Sequence, residues 1–80
     1  MKEKIEQIKD KNDFIQFVRM LSLDFEDHYD EWENTSISDF LERMASWIED
    51  YSVSPANDII WDNVDFQTFS KILYMGKIYE

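Results

Sequence analysis

Cysteine is missing from this 80-residue chain, and glycine, proline and histidine occur once each. Without cysteine there is no disulfide, no thiol nucleophile and no thiolate metal site, a usage that fits a reducing cytoplasm. One glycine and one proline are too few punctuators for a loop-rich or all-β domain, whereas helices need few. No segment approaches the roughly 20 apolar residues of a membrane span. The first residues, MKEKIEQIKDKND, hold no apolar run of signal-peptide length. The expectation is one soluble, cytoplasmic domain over residues 1–80. Positive charge is also scarce: eight lysines and arginines face eighteen aspartates and glutamates, for a net charge of −10.

The negative charge is concentrated. Between Asp24 and Asp65 lie thirteen carboxylates opposed only by Arg43, a charge of −12, while the flanks 1–23 and 66–80 carry +1 each. Trp32, Trp47 and Trp61 all fall inside this acidic stretch. Such a surface suits a basic protein and repels nucleic acid and anionic lipid. Thirteen aromatic residues, six of them Phe, supply material for the rich core that so short a chain requires.

Helical spacing organises the apolar residues. Ile5 and Ile8 stand three apart and predict one or two N-terminal helical turns. Asn12 or Asp13 is the expected N-cap of a helix from about Asp13 to His28, with Phe14, Phe17, Val18, Leu21 and Phe25 on one face. Residues 29–35 (YDEWENT) read as a connection. Thr35 or Ser36 is the expected cap of a helix from about Ile37 to Tyr51, with Ser36, three residues ahead of Asp39, forming a capping-box-like pair. Residues 52–58 read as a loop broken by Pro55. Asp62 or Asn63 is the expected cap of a last helix bearing Phe66, Phe69, Ile72, Leu73 and Ile78. Gly76 within it costs about 1 kcal/mol relative to alanine, which implies a close backbone contact or a kink. The predicted fold is all-α: a small bundle of three main helices with a short extra N-terminal turn.

Several of these segments together carry a family pattern: Phe14-Ile-Gln-Phe17, Glu31-Trp-Glu-Asn-Thr35, Asp39-Phe-Leu-Glu42 running through Met44 and Trp47 to Asp50, and Lys77-Ile-Tyr-Glu80. The set resembles a family of small uncharacterised bacterial domains in which a Trp-Glu-Asn-x-Thr connection precedes a helix carrying a second Trp. That resemblance implies no catalytic residue. In size, charge and style the chain also resembles immunity proteins of bacterial toxin systems.

Catalytic and metal chemistries lack their signatures. The acidic run from Asp24 to Glu33 has no glycine where a calcium-binding EF-hand loop turns. Di-iron bundles need two Glu-x-x-His elements, and the single His28 has no glutamate three residues before it. His28 near a helix C-terminus reads as a capping cation, with a base or a pH switch as the other reading. There is no strained Ser-His-Asp turn, phosphate loop or dinucleotide fingerprint. No enzyme activity, metal or cofactor is expected. Lys2, Lys4, Lys9 and Lys11 alternate with acids and read as a mixed solvated face, not a nucleic-acid patch. Carboxylates standing in for phosphates against a basic groove are a better reading.

The expected function is therefore an acidic protein-binding domain, of the immunity type, that docks on a basic toxin or nuclease. The expected surface comprises Asp27, Asp30, Glu31, Trp32, Glu33 and Trp61, tryptophan being enriched among binding hot spots. For Trp32 and Trp61 the other reading is that they lock connections onto the bundle, whereas Trp47 is a core residue. The alternative function is a homodimeric structural or regulatory adaptor, motivated by Ile15, Met20 and Leu23 outside the main stripe of the first long helix.

Overall fold

The computed structural model describes residues 1–80 and is all-α. It contains α1 (Lys2–Glu6), α2 (Lys11–Asp27), a 3-10 turn (Tyr29–Glu31), α3 (Ile37–Ser52) and α4 (Phe66–Ile78), with no strand. The three-helix bundle and the short N-terminal turn predicted above are both present. No helix is long and apolar enough to cross a membrane.

Each long helix begins on a short polar side chain that satisfies an orphan N–H. Ser36 accepts from the Asp39 N–H at 3.0 Å, as its spacing predicts. The other two caps differ from expectation. Helix α2 starts a turn earlier than the apolar stripe, at Asp10, whose carboxylate accepts from the Asp13 N–H at 2.9 Å. Asp13 reaches back to the Lys9 N–H at 3.1 Å, so it works as the second half of a reciprocal cap instead of as the cap itself. Helix α4 is capped by Asp65, which accepts from the Thr68 N–H at 2.8 Å; Asp62 and Asn63 belong to the preceding loop.

Helix α4 is the common partner of the others. Phe14 packs its ring 5.3 Å from both Phe66 and Phe69, and Asp24 meets Lys77, so α2 runs parallel to α4. Phe40 and Met44 sit against Gly76 while Tyr51 lies under Lys71, so α3 runs antiparallel to it. Helices α2 and α3 flank α4 and make few contacts with each other.

The main core joins Ile5, Ile8, Phe17 and Leu21, backed by Phe14, Leu73 and Tyr74. Phe17 is 2% exposed, whereas Val18, placed on the same face by its spacing, remains exposed. Phe66 and Phe69 likewise stay open on α4. The apolar stripes are broader than the core that forms. Gly76 is resolved as a close contact: a Cβ there would lie 2.7 Å from Met44 Cγ and 2.8 Å from a Phe40 ring carbon.

Candidate interaction site

The connection between α2 and α3 is fastened to the end of α4 through main-chain atoms. Carbonyls in the last turn of a helix have no partner within it. Here the N–H groups of Glu33 and Asn34 donate to the Lys77 carbonyl at 3.1 and 3.4 Å. The Asn34 side-chain amide donates to the Gly76 and Tyr79 carbonyls at 3.0 and 2.9 Å. Asn34 is only 8% exposed, so its amide has little access to water. Replacing Asn34 with alanine strands two carbonyls and is expected to cost about 2–3 kcal/mol. Urea unfolding measures this directly; a loss under about 0.5 kcal/mol, within the range of an ordinary surface change, would show that the amide holds nothing.

Beside this clamp lies the chain's one lysine–carboxylate ion pair. Lys77 Nζ donates to Asp24 Oδ2 at 2.8 Å, and the Trp32 indole N–H donates to the same oxygen at 2.9 Å. The ammonium also sits 5.6 Å from the Trp32 ring centroid. Burial alone would push the Asp24 carboxyl up. The hydrogen bonds from Lys77 and Trp32, with the ammonium charge, outweigh that and hold it below its ordinary 3.8. Trp32 then continues an aromatic string: Tyr29 against Phe25 at 5.2 Å, Phe25 against Trp32 at 5.0 Å, and Trp32 against Phe40 at 6.0 Å.

Of the six residues singled out in the sequence, five are brought together and one is not. Asp27, at the end of α2, Asp30 and Glu31, in the 3-10 turn, and Glu33 are all exposed and lie within five residues of Trp32 along the chain. These four exposed acids, within seven residues of chain, are termed the acidic ridge. Glu31 meets His28 at 3.3 Å, and both are exposed. Asp24 alone among the thirteen acids of the central stretch pairs with a lysine or arginine. Trp61 stands elsewhere. It packs edge-on to Trp47 at 6.3 Å, and its N–H donates to Asn57 at 3.0 Å. Trp47 follows Phe40 by seven residues, so this cluster lies about 10 Å along α3 from the ridge. Trp47 stacks on Tyr51 at 4.8 Å, and the Tyr51 hydroxyl donates to Asp58 at 2.8 Å, tying the loop after α3 onto that helix. Both indole N–H groups of Trp32 and Trp61 are thus engaged within the chain, as locked connections require. The carboxylates and His28 form no cluster of three or more that could hold a metal ion.

Sequence reasoning missed a cleft. It opens between α2 and α3 over α4, with Val18, Leu21 and Phe25 on one wall, Ile37 and Phe40 on the other, and Leu73 on the floor. Glu26 is its only charged lining residue. Ile37, whose spacing to Phe40, Leu41 and Met44 places it on an apolar helix face, is nevertheless 78% exposed. The usable signal was the breadth of the stripes: they hold more apolar residues than three helices can cover.

The fold and the clamp together define a small helical domain built around one central helix. The chain belongs to a family of unknown function, DUF7660, which it matches over residues 10–80. The match begins at Asp10, the cap of α2, and spans all three long helices. No curated protein matches the chain, and no solved structure does.

Proposed function

We propose that this domain is a non-catalytic binding module whose acidic ridge docks on a basic protein. The observation that carries the proposal is the charge of Asp27, Asp30, Glu31 and Glu33, none of them paired with a lysine or arginine, within seven residues that lead into a connection whose backbone is fastened down. Fixed charge of one sign steers an oppositely charged partner and speeds encounter. A basic toxin, a nuclease among them, is the partner class this reading favours, and the domain then acts as an immunity-type inhibitor. Trp32 supports the ridge from behind through Asp24 and Phe40.

Reversing Glu31 and Glu33 to lysine tests the idea. Both are exposed, so helical content and melting should stay unchanged. A basic protein captured from the native host at low salt by the unaltered domain should be lost by the doubly reversed one, and by the unaltered domain at high salt. Retention of the same protein by both forms would remove the ridge from consideration.

A homodimeric adaptor is the second reading, and surface area favours it. A folded monomer of 9.8 kDa exposes about 5,200 Å², whereas this chain exposes 5756 Å². The charge opposes it, because two copies bring −10 each to one interface. Sedimentation across a salt series separates the two: a dimer that persists at low salt supports the adaptor.

A further inference from the structure

We propose that the cleft between α2 and α3 seats one amphipathic α-helix of the partner, apolar on its inward face and edged with lysine or arginine. The inference rests on the reading of the domain as a binder of basic proteins, but a different observation carries it. Helices α2 and α3 each lie against α4 and leave each other nearly untouched. Three helices so arranged present the groove that a fourth fills in a four-helix bundle.

The cleft's chemistry matches that guest. Val18, Leu21, Phe25, Ile37, Phe40 and Leu73 give it an apolar interior. Val18 to Phe25 spans seven residues of helix, about 10 Å or two turns. That length meets anchors at i, i+3 or i+4, and i+7 on an apposed helix. Because α2 and α3 run antiparallel to each other, Ile15, one turn before Val18, and Leu41, one turn after Ile37, both lie towards the same end of the cleft, and both are exposed. Ile37 gains little by folding at 78% exposure; a guest helix would give it a contact.

Charge selects among the occupants. Glu26 lines the cleft, Asp39 stands exposed in the first turn of α3, Glu33 flanks Trp32, and no lysine or arginine lines the groove. A guest with acidic edges is repelled. A second copy of this chain is repelled too: its exposed apolar helix, α3, carries Asp39, Glu42, Glu49 and Asp50 against Arg43 alone. A lysine- or arginine-edged helix is the one that gains from both the floor and the rim.

The probe is a synthetic peptide of about 18 residues, five turns long, made only of leucine and lysine with leucines at helical i, i+3, i+4 and i+7 spacing. Two controls accompany it: a permuted peptide of the same composition with no apolar face, and a peptide with glutamate in place of lysine. Binding is followed by calorimetry and by tryptophan fluorescence, since Trp32 lines the cleft. The ordered leucine–lysine peptide should bind at least about tenfold more tightly than the permuted one, a difference of about 1.4 kcal/mol. The double variant Val18→Ser/Ile37→Ser should erase that preference while leaving the weak binding of the permuted peptide in place. Both side chains are exposed, so the variant should retain its helical spectrum. Glu31→Lys/Glu33→Lys should weaken both leucine–lysine peptides alike.

Equal affinity of the ordered and permuted peptides for the native domain overturns the helix seat and leaves the ridge standing. Binding of neither overturns both. Tight binding of the glutamate peptide overturns the choice of a basic guest. A stable dimer that Val18→Ser/Ile37→Ser dissociates assigns the cleft to a second copy and overturns the proposal.

Discussion

Replacing Gly76 with valine is expected to push α3 off α4 and to cost about 3 kcal/mol, the upper end of what overpacking costs in a filled interior. The first added carbon already lies 2.7 Å from Met44 Cγ and 2.8 Å from a Phe40 ring carbon, inside any normal carbon–carbon contact. The two further methyls have no room on that face. Helix propensity works the other way, since valine is a slightly better helix former than glycine, but by only a few tenths of a kcal/mol. Alanine sets a graded comparison: it gains about 1 kcal/mol of propensity against about 1–3 kcal/mol of crowding, so its net cost falls between about 0 and 2 kcal/mol, below that of valine. Chains of this size have only about 4–12 kcal/mol of total stability, so the valine variant should show a large drop in urea midpoint. A valine variant as stable as the alanine one would mean that Met44 and Phe40 move aside freely, and the close approach of the two helices would not be a constraint.

Replacing Lys77 with methionine should cost about 2–3 kcal/mol at neutral pH, because it leaves the Asp24 carboxylate largely enclosed with only the Trp32 N–H to face. The loss should be pH-dependent, with a definite sign. In the native protein Asp24 is held below its ordinary 3.8. The unfolded chain therefore binds the Asp24 proton more readily than the folded one. The stability this carboxylate contributes is fully present above its unfolded pKa and disappears as the pH falls through its folded value. With methionine at 77, burial is no longer outweighed by the ammonium, and the folded carboxyl rises toward or above its ordinary range. Acidification then costs the variant less than it costs the native protein. The stability difference between them should be widest near pH 7 and should narrow towards pH 3. Taking the difference cancels the general relief of repulsion among the other carboxylates, which both forms share. A gap that is flat with pH would show that Lys77 acts through its methylene stem and not through its charge. Adding Asp24→Asn to Lys77→Met should recover part of the loss, since the uncompensated charge is then gone.

The helices were legible because their signals are local. Ser36 and Asp39 sit three residues apart immediately before an apolar period, and α3 begins there as the spacing predicts. Asp10 and Asp65 were passed over because Asn12, Asp13, Asp62 and Asn63 have the same capping chemistry and lie close by. The period that picks one out starts late in α2, where Lys11 and Asn12 occupy the first turn with polar, exposed side chains. The Asp24–Lys77 pair was not legible, since fifty-three residues separate partners that each read as one charge among many. Gly76 announced a close approach without naming Phe40 and Met44 as what approaches. Of the expected site, Asp27, Asp30, Glu31, Trp32 and Glu33 are neighbours in sequence and were bound to be neighbours in space. Trp61 was added on residue type, and the fold sends it to the other half of α3. The cleft escaped notice because alternation of apolar and polar residues shows which faces are greasy and not which of them find a partner.

Every hydrogen bond that Asn34 makes to the end of α4 and to Tyr79 beyond it ends on a carbonyl oxygen, and carbonyls belong to the peptide backbone whatever side chains are attached. The two side-chain amide hydrogens of Asn34 span from Gly76 to Tyr79 and so gauge a distance along the chain, blind to most of its lettering. Among relatives that keep this asparagine, Gly76 and Lys77 are held in identity by their own contacts with α3 and Asp24, and a single insertion or deletion between positions 76 and 79 should be far rarer than substitution of Ile78.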